Sequence, residues 1–219
     1  MPSQFAAVIF DMDGVLLDSS SIHHAAFLEI LRPLGVVEFD YAEQAGRKTI
    51  DVFHHLNGKY GWQLSNLQIA ELAMAKSAAA LKAMRESNPI FPGAYEVVRM
   101  LSSHLPLALA SSGSRRSVES FLKLNNLASY FSSILSSDDV ACSKPDPEIY
   151  RKSCEVLQLP PNRCVVIEDA VAGVISAKQA GTAVYCLATT TGSSTLLAAG
   201  ATGCLARLDD IPSALGLRF

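Results

Sequence analysis

Two acids that follow directly on an apolar run are the first place where this chain could do chemistry. Residues 6–10 are continuously apolar with Val and Ile among them, and Asp11-Met12-Asp13-Gly14 comes next. A strand interior disfavours Asp, so the pair marks the carboxyl end of a strand, the edge of a parallel sheet where ligands collect. An acid pair before glycine also makes an ordinary turn, and the pair alone does not choose between the two. Other apolar runs end in the same way. Ala108-Leu109-Ala110 leads into Ser111-Ser112-Gly113-Ser114, a hydroxyl-rich turn able to bind an anion through side chains and backbone N–H groups. Val165-Val166-Ile167 leads into a second acid pair, Glu168-Asp169. Ahead of that run, Ser143-Lys144-Pro145-Asp146-Pro147 holds a lysine in a loop restricted by prolines.

One sheet edge would then carry four carboxylates, a lysine and a hydroxyl turn. Two unit charges 4 Å apart repel by about 4 kcal/mol at an effective dielectric near 20, so carboxylates that face one another need a cation among them. Ligands that are only Asp and Glu select a hard ion, and Mg2+ is the usual one where a phosphate also binds. No His or Cys stands in these turns to favour zinc. A lysine and a hydroxyl turn opposite such an ion make a clamp for a phosphoryl group, and the clamp offsets the repulsion between a carboxylate nucleophile and a phosphate.

The elements that would position these groups can be read from periodicity. From Pro92 onward, short apolar runs alternate with segments of helical period, the pattern of strand–helix units that build a parallel sheet. Strands are expected over residues 105–110, 164–167 and 183–186, joined by the run at 6–10, whose unbroken apolar character suits a strand covered on both faces. Between the first strand and Pro92 no strand is convincing, but residues 21–34, 49–60 and 65–86 read as helices. The last opens with Ser65 and has Gln68 three residues on, a reciprocal capping pair, and it closes ahead of Asn88-Pro89. Residues 189–194 read as a loop. The expected fold is α/β, a Rossmann-like parallel-sheet core of residues 1–16 and 90–219 with an inserted all-helical cap at 17–89.

Composition narrows the function. The chain has 219 residues, 49% hydrophobic and 18% charged, enough to bury a large core and too apolar for disorder. Its 18 basic and 21 acidic residues leave a net charge of −3 with no basic run, which argues against nucleic acid or an anionic membrane as a partner. No apolar stretch approaches the roughly 20 residues that cross a bilayer, and none makes an export signal, so a cytoplasmic enzyme is expected. Cys142, Cys154, Cys164, Cys186 and Cys204 include no C-x-x-C pair and are expected to be buried free thiols. Oligomeric state is left open, a monomer being compatible.

These residues resemble the motifs of the haloacid dehalogenase superfamily. Asp11-Met12-Asp13-Gly14-Val15 matches its first motif, Ser111 its second, Lys144 its third and Glu168-Asp169 its fourth, in order and across nearly the whole chain. The helical insertion resembles the small cap of the subgroup that includes β-phosphoglucomutase and many sugar-phosphate phosphatases. The resemblance implies that Asp11 is a nucleophile forming an aspartyl-phosphate, and that Asp13 gives a proton to the leaving alcohol and takes one from water. It implies that Mg2+ is held by Asp11, the Asp13 carbonyl and Asp169, with Glu168 direct or through a water. Ser111, Lys144 and the amide of Ser112 would hold the phosphoryl group. An Asp at position 13 argues against dehalogenation, because the family's dehalogenases lack it.

In the cap, the resemblance puts His23 and Lys76 towards the active site and Gly46-Arg47 on a substrate-facing loop. His54 and His55 lie on the helical pattern and are read as non-catalytic. Mutases of the subgroup tend to place an arginine three residues after that glycine, where this chain has Thr49. The expectation is therefore a Mg2+-dependent phosphatase acting on a small phosphorylated metabolite, with a phosphomutase as the alternative.

Overall fold

The computed structural model describes residues 4–217. Six parallel strands form one sheet: β1 (Ala7–Phe10), β2 (Leu107–Ala110), β3 (Ser133–Leu135), β4 (Cys164–Glu168), β5 (Ala183–Leu187) and β6 (Gly203–Leu205). Their order is β3-β2-β1-β4-β5-β6, so the order reverses beside β1 and a crevice opens between the carboxyl ends of β1 and β4. Val8 pairs with Leu107 on one side and Val165 on the other, which brings Asp11, Ser111 and Glu168 to one edge.

Alternation along each strand divides the core in two. Val8, Phe10, Leu107, Leu109, Val165 and Ile167 join one apolar cluster, packed with α4 (Ala94–Ser102) and α5 (Arg115–Leu124). Ala7, Ile9, Ala108, Ala110, Cys164 and Val166 join the other, with α6 (Glu148–Leu157), α7 (Val171–Ala180) and α8 (Ser193–Ala198). Every residue of β1, β2 and β4 is buried, as their unbroken apolar runs require. The C-terminal helix α9 (Ile211–Ala214) packs its Ile211 against the first cluster.

The chain leaves the sheet after β1 through α1 (Ser20–Leu31), α2 (Thr49–Tyr60) and α3 (Asn66–Ser87). These helices bury a cluster of their own, including Phe27, Leu31, Phe53, Leu56 and Ile69. Ser65 and Gln68 close both halves of the capping box at the start of α3, and Asn88 ends it in a left-handed conformation at φ 39°. The outgoing and returning chains pair where they cross: Asp18 N–H donates to Pro89 O at 2.7 Å and Phe91 N–H to Leu16 O at 3.0 Å.

Several expectations shift. Helix α1 ends at Leu31, with residues up to 34 tightened into a 3₁₀ turn around Pro33. Strand β2 begins at Leu107 rather than 105; Pro106 precedes it and only its carbonyl serves the ladder, accepting from Val8 N–H. Strands β3 and β6, three residues each at the two sheet edges, were not anticipated. The loop expected at 189–194 gives way to α8 at Ser193. Of the cysteines, Cys154, Cys164 and Cys186 are buried free thiols, but Cys142 is exposed and Cys204 partly so, because both lie outside the strands and helices that cover the sheet centre or at its edge. No helix among the described residues is long and apolar enough to cross a membrane.

Candidate active site

The groups read from the strand ends converge. Lys144 Nζ donates to Asp11 Oδ1 at 2.6 Å, to Glu168 Oε1 at 2.8 Å and to the Ala110 carbonyl at 3.2 Å, which uses all three of its protons. Its side chain is fully buried. Burial by itself would lower this amine, but the charges of Asp11 and Glu168 outweigh it and hold it well above its ordinary value.

Glu168 is equally buried and its oxygens are fully engaged. Oε1 accepts from Lys144 and from Tyr150 Oη at 2.7 Å; Oε2 accepts from the amides of Asp169 at 2.9 Å and Ala170 at 3.1 Å. Gly173 on α7 makes room for it, since a Cβ there would lie 1.7 Å from Glu168 Oε1. Gly14 does the same for Asp169: it sits at φ +79°, and a Cβ would come within 1.8 Å of Asp169 Oδ2.

Asp11, Glu168 and Asp169 offer oxygens within 4.8 Å of one another, all buried. Burial pushes the Asp11 carboxyl up to about 8, with the charges of Glu168 and Asp13 adding to the push and Lys144 opposing it. Asp169 is raised well above its ordinary value by burial, Glu168 and Asp11. One lysine leaves this triad anion-rich, and an all-oxygen donor set fits a hard divalent cation such as Mg2+.

A second chain of contacts runs from Asp13 into the helical insertion. Asp13 Oδ1 accepts from Ser19 Oγ at 2.5 Å and meets His23 Nε2 at 3.1 Å. The other ring nitrogen, Nδ1, lies 2.7 Å from Lys76 Nζ. A charged Lys76 can only donate, so Nδ1 then accepts and Nε2–H points to Asp13. Burial would raise Asp13, but the charge and hydrogen bond of His23 and the bond from Ser19 outweigh it, holding the carboxyl below its usual range. His23 is itself lowered by burial and by the Lys76 charge, against the pull of Asp13. Lys76, which the family resemblance turns towards the active site, is 2% exposed, lies 4.2 Å from the Phe27 ring centroid, and is lowered by burial to about 7.

Ser111 is buried; its Oγ accepts from the Gly113 amide at 3.0 Å, leaving its own proton to donate. The Ser112 hydroxyl donates to the Gly46 carbonyl at 2.6 Å, so its amide is what remains for an anion. Arg47 lines the same chamber as Asp11, and its Nη1 donates to Gln44 Oε1 at 3.1 Å. Sequence reasoning missed Ser19, Tyr41, Gln44 and Tyr150. Tyr41 stacks on His23 with centroids 5.5 Å apart, and its hydroxyl is raised well above the ordinary value by burial and by Asp13. Only the N-cap position of Ser19 ahead of α1 carried a local signal.

The chamber over Asp11 encloses about 50 Å³ and is closed by segments of the insertion. Ser112 holds the Gly46 carbonyl, Lys48 Nζ donates to Val140 O at 2.8 Å, Ser143 hydrogen-bonds Asp51, and Ser20 meets Thr190 at 2.7 Å.

A doubly wound α/β sheet takes its ligand in the crevice at the switch point, and in this chain that crevice carries the buried carboxylate–lysine centre. A haloacid dehalogenase-like hydrolase family model matches residues 5–181, and the chain belongs to that family. Hexitol phosphatase B of Escherichia coli strain K12 is 30% identical over 184 residues, 82% of this chain and 82% of its own. Validoxylamine A 7'-phosphate phosphatase of Streptomyces hygroscopicus subsp. limoneus is 31% identical over 191 residues, covering 85% of this chain and 86% of its own. The structure of CbbY from Rhodobacter sphaeroides in complex with phosphate superposes with a TM-score of 0.80 at 26% identity, over 97% of this chain and 100% of that one.

Proposed function

We propose that this chain is a Mg2+-dependent phosphatase that hydrolyses small phosphate monoesters, a phosphorylated sugar or related metabolite, through an aspartyl-phosphate on Asp11. In this reading residues 1–16 and 90–219 are the catalytic core and 17–89 a cap that closes over it. The observation that carries the proposal is the Asp11 carboxylate, fixed by Lys144 at 2.6 Å in a chamber also lined by Asp13, which the His23–Lys76 pair holds. The two phosphatases at 30% and 31% identity support it.

Asp11 and Asp169, with the Asp13 carbonyl, would hold the cation, and Glu168 adds its charge beside them. When bound, Mg2+ supplies charge stabilisation for the phosphoryl oxygens. The Ser111 hydroxyl and the Ser112 amide would bind the same oxygens, and Lys144, its protons held by Asp11, Glu168 and Ala110, contributes its positive charge beside Asp11. An Asp11 oxygen attacks phosphorus, the bond from phosphorus to the leaving oxygen breaks, and Asp13 delivers a proton to that oxygen. Because Asp13 rests ionised, that proton is one passed along Lys76, His23 and Asp13; the amine at about 7 is poised to release it near neutrality. Water then attacks phosphorus, Asp13 takes its proton, the Asp11–phosphorus bond breaks, and inorganic phosphate leaves. Arg47 contributes to the chamber wall and through Gln44 shapes its cap side.

The test is phosphate release from a panel of phosphorylated metabolites, with Mg2+ and with EDTA, using Asp11→Asn as the blank. Mg2+-dependent release that falls at least about 10⁴-fold in the blank is the expected result. Equal activity in the blank would remove the covalent mechanism. A mutase would release little phosphate and would isomerise a sugar phosphate only with a bisphosphate primer.

A further inference from the structure

We propose that Tyr41 and Gln44 read one hydroxyl of the substrate, the one on the carbon next to the phosphate ester, and so select polyol and sugar phosphates over esters that lack it. The inference rests on the phosphatase reading and names residues that choose its alcohol.

Both side chains line the chamber that holds Asp11 and Asp13, and both carry donor protons with no acceptor among the described residues. Gln44 is 7% exposed, and its Oε1 accepts from Arg47 Nη1 at 3.1 Å, which sets the amide with both Nε2 protons left over. Tyr41 is partly buried. Burial and the charges of Asp13, Asp169, Asp11 and Glu168 keep its hydroxyl protonated, a donor in the field of the carboxylate centre. A donor left unpaired away from water costs free energy, and a substrate oxygen that accepts from it removes the cost.

Their neighbours assign these donors to the alcohol rather than to the phosphoryl group. The phosphoryl oxygens have the Ser111 hydroxyl and the Ser112 amide, on the core turn that follows β2. Tyr41 instead belongs to the insertion and stacks on His23, with ring centroids 5.5 Å apart and planes 25° from parallel. His23 Nε2 meets Asp13 Oδ1 at 3.1 Å, and Ser19 takes the same oxygen, which leaves Oδ2 for the leaving oxygen in the proposed reaction. The first hydroxyl beyond that leaving oxygen is on the next carbon. A hydroxyl oxygen has two lone pairs, enough to accept from Tyr41 and Gln44 together.

The experiment measures kcat/KM for phosphate release, with Mg2+, from sorbitol 6-phosphate and 5-deoxysorbitol 6-phosphate, and from 2-hydroxyethyl phosphate and ethyl phosphate. Each pair differs by that hydroxyl alone. A neutral hydrogen bond contributes about fivefold, so two donors predict a preference of about 25-fold within each pair. Tyr41→Phe keeps the ring that stacks on His23 and removes the hydroxyl; it should cut each ratio about fivefold, and Gln44→Met, which keeps the length and loses the amide, should do the same. The deoxy esters have a less acidic leaving alcohol, a difference common to wild type and variants, so the change in ratio is the readout. A role confined to packing, or a bond to the phosphoryl group, slows both members of a pair alike. Wild-type ratios near one, or ratios that either variant leaves unmoved, overturn the inference while the phosphatase reading stands. No phosphate from any of the four esters overturns both.

Discussion

Lys144 and Lys76 are 1% and 2% exposed, yet their amines are driven in opposite directions, the first well above its ordinary value and the second down to about 7. Burial acts alike on both; the partners differ. Lys144 stands between two carboxylates at the ends of β1 and β4 and has no proton to spare. Lys76 meets a neutral-leaning imidazole and the Phe27 ring, neither of which brings a full negative charge. The core end of the site is thus a fixed positive charge built into the sheet edge. At the end formed by the insertion, the Lys76 amine reaches Asp13 through one histidine, and in the proposed reaction it is the proton store.

Removing the amine should therefore have opposite consequences at the two ends. Lys144→Met leaves Asp11 and Glu168 buried without a counter-charge, and a loss of about 3–5 kcal/mol in unfolding free energy is expected. Urea unfolding at pH 7 checks this, and a loss under about 1 kcal/mol would mean that the carboxylates do not depend on it. His23→Ala cuts the link between proton store and Asp13, so kcat should fall about 10²-fold with a much smaller change in KM. A kcat left intact would show that Asp13 draws its proton from elsewhere.

The two ends also differ in how well the sequence announces them. Asp11, Ser111, Lys144 and Glu168 were found because each terminates a buried strand or its neighbouring loop, and a parallel sheet brings strand ends together whatever the helices do. The short strands β3 and β6 escaped because three residues at an edge leave no alternation to detect. The helices of the insertion were legible from Ser65, Gln68 and their apolar spacing, but their placement was not. Lys76 on a 22-residue helix looks solvated until α1 is packed against it and Phe27 slides beneath its amine. Tyr41 and Gln44 belong to a segment without helix or strand, so no period marked them. Family resemblance, not pattern, pointed to His23 and Lys76.

Smaller effects sharpen the contrast. In Lys76→Met the buried site keeps its volume and loses a group that burial disfavours as a cation, so the variant should be more stable by about 2 kcal/mol at pH 7, at a cost in turnover. The sign of its pH dependence follows from the lowered value. Between about 7 and 10.5 the unfolded chain binds a proton on Lys76 that the folded chain does not, so wild-type stability gains with rising pH over that window. Thermal unfolding should show the advantage of Lys76→Met shrinking from pH 7 to pH 10; an advantage that grows would reverse the assignment.

The smallest effect concerns the joint between the ends. Ser112 belongs to the core turn beside Ser111, and its hydroxyl holds the Gly46 carbonyl of the insertion at 2.6 Å. Ser112→Ala removes this bond and keeps the amide that faces the chamber. A partly buried neutral hydrogen bond contributes about 1 kcal/mol, so the closed arrangement should lose roughly fivefold in population against open ones. If the insertion acts as the proposed cap, loosening the joint is expected to speed entry and product release while lowering the fraction of complexes aligned for transfer. Pre-steady-state phosphate release separates the two: a smaller burst with a faster steady phase is the expected signature. An unchanged burst would mean that Lys48, Ser143 and Ser20 hold the joint without Ser112.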